Sequence, residues 1–160
     1  MVRWADAGEL AGLADVELAA DGIFAEVGIV FPPGTTVIEE VDDPGRVLVE
    51  GEPPEGFALL GRVDGNVHLD QLAVHPRSMR RGIGGRLMAA VIDHARASGA
   101  PEVTLTTYRD VPWNAPWYTR HGFTALPEPE WGPELRALVA HERELGLEIA
   151  PRVVMRRRPL

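Results

Sequence analysis

A short basic and glycine-rich run, RRGIGG at residues 80–85, holds the residue types best suited to bind phosphate groups. It stands between β-branched and apolar residues at 67–74 and apolar residues that recur at helical spacing up to residue 98. This order predicts a strand, a loop and a helix, with the glycines where the helix begins. Glycines let a ligand approach the backbone closely, and the free N–H groups and dipole of a helix N-terminus attract anions. The run therefore predicts a polyphosphate site.

Two further side chains could move protons. Tyr118 lies in the aromatic run NAPWYTRHGF at residues 114–123, and its phenol is a hydrogen-bond donor at neutral pH. His68 lies near the start of the strand predicted at 67–74, and an imidazole titrates near neutrality, so it could accept a proton. Each residue has a structural alternative, because a tyrosine ring can pack among aromatic neighbours and a strand histidine is often only hydrogen-bonded. Both interpretations stay open at this point.

The two runs together resemble the signatures of the GCN5-related N-acetyltransferases. In that family a segment [QR]xxGxG[AG] after the fourth strand wraps the pyrophosphate of acetyl-coenzyme A. Residues 82–85 match it as GIGG, with Met79 where the family usually has Gln or Arg. A second family segment ends in YxxxGF, which residues 118–123 match, and Asn114 is closer to the tyrosine than in the commonest form. With the order of elements, the resemblance extends over residues 46–126.

The resemblance implies how the coenzyme is bound. Main-chain amides of the loop would hold the pyrophosphate, and the fourth strand would splay from the fifth and offer N–H groups to the thioester oxygen and the pantetheine amides. The expected coenzyme-binding residues are Leu72, Ala73, Val74, Arg80, Arg81, Gly82, Ile83, Gly84, Gly85, Asn114, Trp117 and Tyr118. The Tyr118 hydroxyl would face the leaving thiolate. His68 stands where histone-type relatives have a glutamate base, whereas many relatives use a water chain instead.

The remaining pattern predicts an α/β (α+β) fold of the acyl-transferase type, with a mixed, mostly antiparallel sheet flanked by helices. Three strands at 46–50, 56–63 and 67–74 form a meander, and a helix at 82–98 crosses over to a fifth strand at 102–108. Other predicted elements are a strand at 2–5, two helices over 6–28 broken near residues 21–22, a loop at 31–45, a short helix from 113 or 114 to 121, a strand from 123, a helix at 134–146 and a strand at 151–157. The predicted apolar faces are Leu10, Leu13, Val16, Leu18, Ile23, Phe24 and Val27 on the first helices, and Leu135, Leu138, Val139 and Leu145 on the last.

Composition narrows the classes of function. The 160 residues, with 45% hydrophobic content, predict a single domain over residues 1–160. Because no apolar run has the length of a membrane span and the first residues lack a secretion signal, we expect a soluble, cytoplasmic protein. A net charge of −8 disfavours nucleic acid and favours a cationic partner. The chain has no cysteine, and its histidines lack metal-ligand spacing, so we expect neither a covalent cysteine intermediate nor a metal.

We therefore predict an acetyl-coenzyme A-dependent N-acetyltransferase that acetylates a primary amine of a small molecule by direct attack in a ternary complex. One alternative is a protein or peptide acceptor, and another is a non-catalytic sensor that binds acetyl-coenzyme A. Glu17, Asp21 and Glu26 lie on the first helices, where they either grip a cationic acceptor or are ordinary solvated charges. The resemblance leaves a homodimer open, since members of the family often dimerise.

Overall fold

The computed structural model describes residues 1–32, 34, 36–158 and 160, which form strands and helices close to the predicted ones. The strands are β1 (Val2–Trp4), β2 (Val47–Gly51), β3 (Pro54–Val63), β4 (Asn66–Val74), β5 (Val103–Tyr108), β6 (Thr124–Ala125) and β7 (Arg152–Arg157). The α-helices are α1 (Leu10–Gly22), α2 (Ile83–Ala97), α3 (Ala115–Arg120) and α4 (Pro133–Glu144). Single 3-10 turns lie at Ala7–Glu9, Ile23–Val27, Ile38–Glu40, Pro44–Arg46, Pro76–Ser78 and Glu128–Glu130.

The strands form one seven-stranded sheet in the order β1-β2-β3-β4-β5-β7-β6. β1 with β2, β2 with β3, β5 with β7, and β6 with β7 are antiparallel pairs. β4 and β5 are parallel, as a crossover helix requires, with Val67 opposite Val103 and His68 opposite Thr104. The predicted mixed, mostly antiparallel sheet is confirmed.

The chain divides into two compact units, which are described separately. Unit 1 comprises Met1–Gly61 and Leu69–His94, and unit 2 comprises Arg62–His68 and Ala95–Leu160. A single domain over residues 1–160 stays a prediction.

The core of unit 1 forms where α1 packs against β2 and β3. Leu13 and Val16 of α1 are buried together with Val47, Val49, Phe57 and Leu59. The predicted break near Asp21-Gly22 is confirmed, since α1 ends at Gly22 and a 3-10 turn follows. The predicted apolar face was partly wrong, because Leu18 is 55% exposed and Val27 is 43% exposed.

The core of unit 2 forms where α4 covers the sheet. Leu135 and Val139 are buried with Val63, Leu126 and Val154, and Leu138 packs against them. The predicted burial of Leu145 was wrong, since it follows the end of α4 and is 54% exposed.

The first turn of α4 is fixed by Asp64, which lies in the tight turn between β3 and β4. Its carboxylate accepts hydrogen bonds from the amides of Glu134 and Leu135 at 2.9 and 3.0 Å. These amides have no acceptor within the helix, so Asp64 satisfies them.

Most predicted boundaries differ from the observed ones by one or two residues. β3 begins at Pro54, two residues before the predicted strand. The predicted loop at 31–45 contains 3-10 turns at Ile38–Glu40 and Pro44–Arg46, and its residues 33 and 35 lie outside the described residues.

Candidate active site

The glycine loop, residues 79–85, leads into α2 in unit 1. Its backbone has positive φ angles at Arg80 (65°) and Gly82 (79°). The amide of Arg86 makes the first helical hydrogen bond, to the carbonyl of Gly82 at 3.0 Å. The amides before it in the first turn have no acceptor within the helix, and they lie at its positive end. The predicted start of the helix at the glycines is confirmed.

Two cations of the loop are available to a ligand. Arg80 and Arg81 are exposed. Among the residues that the structure describes, no carboxylate pairs with either of them. An arginine without a carboxylate partner keeps its full charge and all its donors for an anion. The loop thus combines main-chain donors with two uncompensated positive charges.

Glu55, near the start of β3, holds the turn that leads into the loop. Its carboxylate accepts two hydrogen bonds from Arg77, both 3.0 Å long, and one from the Ser78 hydroxyl at 2.9 Å. Its carbonyl accepts the amide of His75 at 2.7 Å. The Arg77 guanidinium, followed by the Ser78 hydroxyl, lowers the pKa of the Glu55 carboxyl. Sequence reasoning missed Glu55 because no motif connects it to the loop.

Gly56 lets the first turn of α2 approach β3. A Cβ atom at this position would lie 2.9 Å from Cγ2 of Ile83, 3.1 Å from the carbonyl oxygen of Ala73 and 3.3 Å from Cδ1 of Leu87. These distances are shorter than ordinary van der Waals contact, so a larger residue would push the helix away from the strand. Gly56 was not among the predicted residues, although a glycine inside a strand pattern is a signal of close approach.

The three β4 residues predicted to bind the coenzyme end that strand in unit 1. Ala73 is 2% exposed, whereas Leu72 and Val74 are half-buried. Their roles as main-chain donors stay predictions.

Tyr118 lies on α3 in unit 2 and is buried, with 9% of its surface exposed. Its ring makes edge contacts with Trp117 and Phe123, at centroid distances of 5.2 and 5.7 Å. Burial raises the pKa of the phenol above its ordinary value of 10, so the hydroxyl stays protonated at physiological pH. The ring packing of the structural alternative is therefore present, and it leaves a protonated donor.

Asn114 immediately precedes α3 and connects it to the end of β5. Its carbonyl accepts the amide of Tyr118 at 2.9 Å, and its side-chain oxygen accepts the amide of Tyr108 at 3.4 Å. Asn114 thus helps to fix the backbone of the residue that carries the phenol. Contact with the pantetheine arm stays a prediction for both Asn114 and Trp117, and the Trp117 ring lies 3.9 Å from that of His121.

His68 lies on β4 within unit 2 and is only 1% exposed. Its Nδ1 atom is hydrogen-bonded to the Thr104 hydroxyl at 2.7 Å. Burial lowers the pKa of the imidazole to about 4, so the ring is neutral at physiological pH. A catalytic role for His68 stays a prediction, while its surroundings are typical of a structural histidine.

The acids of the first helices do not share one environment. Glu17 is 3% exposed and accepts the amides of Val37 and Ile38 at 2.8 and 3.0 Å, so it holds the following turn. Asp21 is half-buried, and burial, followed by the charge of Glu17, raises the pKa of its carboxyl to about 7. Glu26 is exposed. The interpretation of these acids as solvated surface charges fits Glu26 but was wrong for Glu17, whose carboxylate is buried.

The described part of the chain has neither a cluster of metal-ligating side chains nor a membrane-spanning helix. Within the described ranges, no three histidine or acidic side chains are grouped so that they could hold a metal ion. Every helix of those ranges is too short or too polar to traverse a lipid bilayer.

Comparison with known proteins gives a family and a fold. The model of the acetyltransferase (GNAT) family matches residues 32–123, a range that contains both the glycine loop and the YxxxGF segment. An uncharacterized N-acetyltransferase of Bacillus subtilis strain 168, YjcF, is 28% identical over 101 residues, which cover 62% of this chain and 70% of YjcF.

Two solved structures illustrate the similarity of fold. The N-acetylglutamate synthase of Neisseria gonorrhoeae, complexed with coenzyme A and N-acetyl-glutamate, has a TM-score of 0.68 and 22% identity over 98% of this chain. The chain spans about a third of that synthase, 34% of its length. The ribosomal-protein-S18-alanine N-acetyltransferase of Escherichia coli has a TM-score of 0.65 and 17% identity, with 98% of this chain and 92% of that one covered. Because the family model matches more than half of the chain, this protein belongs to the acetyltransferase (GNAT) family.

Proposed function

We propose that the protein transfers the acetyl group of acetyl-coenzyme A to a primary amine of a small molecule, by direct attack in a ternary complex. The glycine loop is the observation that carries the proposal. Positive φ angles at Arg80 and Gly82 turn the backbone where α2 begins, and two exposed arginines stand beside the open amides. This arrangement suits a diphosphate, which is a doubly charged anion with several acceptor oxygens.

The main chain and the side chains of the loop are proposed to bind the diphosphate in different ways. Main-chain amides of residues 82–85 are proposed to hold the diphosphate, while Arg80 and Arg81 supply charge. Met79 replaces the Gln or Arg usual in the family, and the two arginines compensate for that missing contact. Bound acetyl-coenzyme A supplies an activated thioester.

Tyr118 is proposed to assist the departing thiolate. Its raised pKa keeps the phenol protonated, and full proton transfer to a thiolate, whose parent thiol has a pKa of about 8.5 in cysteine, would be uphill. Hydrogen-bond donation to the developing negative charge is therefore the role that this pKa favours. The amine proton leaves by another route.

The route for the amine proton has two candidates. His68 is a proposed base, and water is the alternative. Because burial lowers the pKa of His68 to about 4, its imidazole is a weak proton acceptor, which favours water. Main-chain N–H groups of residues 72–74 are proposed to stabilise the negative charge that develops on the thioester oxygen.

Transfer is proposed to be direct because the chain has no cysteine that could carry the acetyl group. The net charge of −8 favours a cationic acceptor, whether a small amine or a basic peptide. The second candidate is a protein N-terminus or lysine, and the fold similarity to the Escherichia coli enzyme that acetylates an alanine of a ribosomal protein favours it. A homodimer stays a prediction.

An acceptor screen tests the proposal. Release of free thiol from acetyl-coenzyme A would be followed with a library of small primary amines and, in parallel, with short peptides that have free N-termini or lysines. We expect turnover with small amines above turnover with peptides. Turnover confined to peptides would exclude the small acceptor, and absence of heat on titration with coenzyme A would exclude the diphosphate site.

A further inference from the structure

Arg86, in the first turn of α2, is clamped by Glu50 of β2 within unit 1. Its Nε and Nη2 atoms donate hydrogen bonds to the two carboxylate oxygens, and both distances are 2.7 Å. The Glu50 side chain is 9% exposed, whereas that of Arg86 is 51% exposed. A two-point contact fixes the plane of a guanidinium group as well as its position. The buried carboxylate therefore holds an accessible cation in one orientation.

The third nitrogen of Arg86 lies beside the glycine loop. Nη1 is 2.9 Å from the point that a Cβ atom on Gly82 would occupy, so the loop backbone passes directly next to it. In the described part of the chain, Nη1 takes part in no hydrogen bond. Its two N–H groups are donors that the clamp leaves unused. They lie where the main-chain amides of the loop begin.

We infer that Arg86 is a further binding residue for the diphosphate of coenzyme A, donating from Nη1, and that Glu50 is the positioning residue that holds it there. This inference rests on the proposed function of the glycine loop. Glu50 neutralises Arg86, so Arg86 contributes directed donors with little net charge. Arg80 and Arg81, with which no carboxylate in the described ranges pairs, contribute the long-range attraction.

The test compares acetyl-coenzyme A with S-acetylpantetheine, a thioester that lacks the diphosphate together with the adenosine 3′-phosphate. Acetyl-dephospho-coenzyme A, which keeps the diphosphate and lacks only the 3′-phosphate, is the third substrate, and a diphosphate contact predicts that Arg86→Gln raises its KM as much as that of acetyl-coenzyme A. We expect Arg86→Gln to raise KM for acetyl-coenzyme A about tenfold and to leave kcat/KM for S-acetylpantetheine unchanged. Arg3→Gln is the matched control, because Arg3 and Glu9 form a two-point pair with the same 2.7 Å distances in the same unit and belong neither to the loop nor to α2. Arg3→Gln should leave KM unchanged for acetyl-coenzyme A and for S-acetylpantetheine.

Glu50 is tested through a double variant. If Glu50 acts only by holding Arg86, Glu50→Gln raises KM for acetyl-coenzyme A when Arg86 is present and adds nothing to Arg86→Gln. Should Arg86→Gln fold poorly, Arg86→Lys keeps the charge and removes the two-point contact, and the same selective rise in KM is expected.

The outcomes separate the inference from the proposed function. Equal losses with both thioesters, or no loss with either, would overturn the role of Arg86, since a structural defect does not distinguish the two substrates. A wild-type enzyme that does not prefer acetyl-coenzyme A to S-acetylpantetheine would overturn the diphosphate site itself. A wild-type preference that persists unchanged in Arg86→Gln would overturn only the further inference.

Discussion

The two arginines of the glycine loop and Tyr118 of the aromatic segment at residues 114–123 lie in opposite environments. Arg80 and Arg81 of the loop are exposed, and the carboxylates nearby, Glu50 and Glu55, are each taken up by another arginine. Tyr118 of the aromatic segment is buried against other rings. The loop keeps charge in contact with solvent, whereas the segment keeps a neutral donor away from it.

Exposure of the arginines and burial of the tyrosine suit two different proposed roles. A loop that captures a charged ligand needs cations whose charge is not already compensated. A group that donates a proton or hydrogen bond needs to stay protonated, and burial ensures this for a phenol because burial disfavours the charged form. The same burial has the opposite use in His68, since a buried imidazole loses its affinity for protons. Burial therefore favours Tyr118 as a donor and disfavours His68 as a base.

The largest expected effect is that of Tyr118→Phe, which removes the donor and keeps the ring packing. We expect kcat to fall about a hundredfold while KM for acetyl-coenzyme A stays within about twofold. Tyr108→Phe is the matched control, since Tyr108 is the other tyrosine of the chain, is 3% exposed and donates to the Leu147 carbonyl at 2.7 Å. It should cost about 1 kcal/mol of stability with kcat unchanged. Unchanged turnover in Tyr118→Phe would remove the assignment.

His68→Ala should mainly affect stability. Loss of the buried ring and of its hydrogen bond to Thr104 is expected to lower the free energy of unfolding by about 2 kcal/mol at pH 7. The folded pKa of about 4 lies below the ordinary 6.5, so the unfolded chain binds the extra proton between these values. The contribution of His68 to stability is therefore present above pH 6.5 and is lost as the pH falls towards 4.

Denaturant unfolding at pH 7, 6 and 5 measures this dependence, which should be steeper in the wild type than in His68→Ala. The pH–rate profile of the variant, measured from pH 9 down through the His68 pKa of about 4, provides the catalytic readout. We expect its shape to match that of the wild type. A variant that loses the acid limb of the profile together with most of its turnover would establish His68 as the base.

Gly82→Ala tests the loop backbone. Gly82 has a φ of +79°, and an added Cβ would lie 2.9 Å from Nη1 of Arg86, so we expect KM for acetyl-coenzyme A to rise about tenfold. Gly28→Ala is the control, because Gly28 has a φ of +78° in the same unit and no atom within 4 Å of the added Cβ. Both should lose about 1 kcal/mol of stability. Equal KM values in the two variants would show that the loop is not a binding surface.

The glycine loop could be predicted from the sequence, whereas the environment of Tyr118 could not. The glycine spacing predicted the loop and the start of α2, because a positive φ and a close approach are local demands that select glycine. Most element boundaries followed from apolar periodicity to within one or two residues. The burial of Tyr118 and of His68 was not evident from sequence, since it depends on which elements cover a residue.

Contacts between residues that are distant in sequence could not be predicted from the sequence either. Glu50 and Glu55 lie 36 and 22 residues before the arginines that they hold, and nothing in either neighbourhood marks the pairing. The first helices show the same limit. Leu18 fits the apolar period yet is exposed, and Glu17 interrupts that period yet is buried because it binds the backbone amides of residues 37 and 38.

The smallest expected effect concerns Asp21 of unit 1. Like the loop arginines it contacts solvent, and like Tyr118 it has a pKa that burial raises. It is half-buried, and its pKa of about 7 lies above the ordinary 3.8. A raised folded pKa gives stability that is complete below pH 3.8 and is lost as the pH rises through 7, because the ionised carboxylate is disfavoured in the folded state. Asp21→Asn cannot ionise and should be more stable than the wild type at pH 8, by about 1 kcal/mol once partial exposure is allowed for.

Thermal or denaturant unfolding at pH 5 and pH 8 checks this difference, which should be smaller at pH 5 than at pH 8. Asp15→Asn, on an exposed position of the same helix, is the control and should leave the pH dependence unchanged. An Asp21→Asn variant that is less stable than the wild type at pH 8 would mean that the ionised carboxylate makes a favourable contact. A rise in KM for cationic amines in this variant alone would be a separate result, which would show that the ionised Asp21 attracts the acceptor by its charge, as Arg80 and Arg81 are proposed to attract the diphosphate.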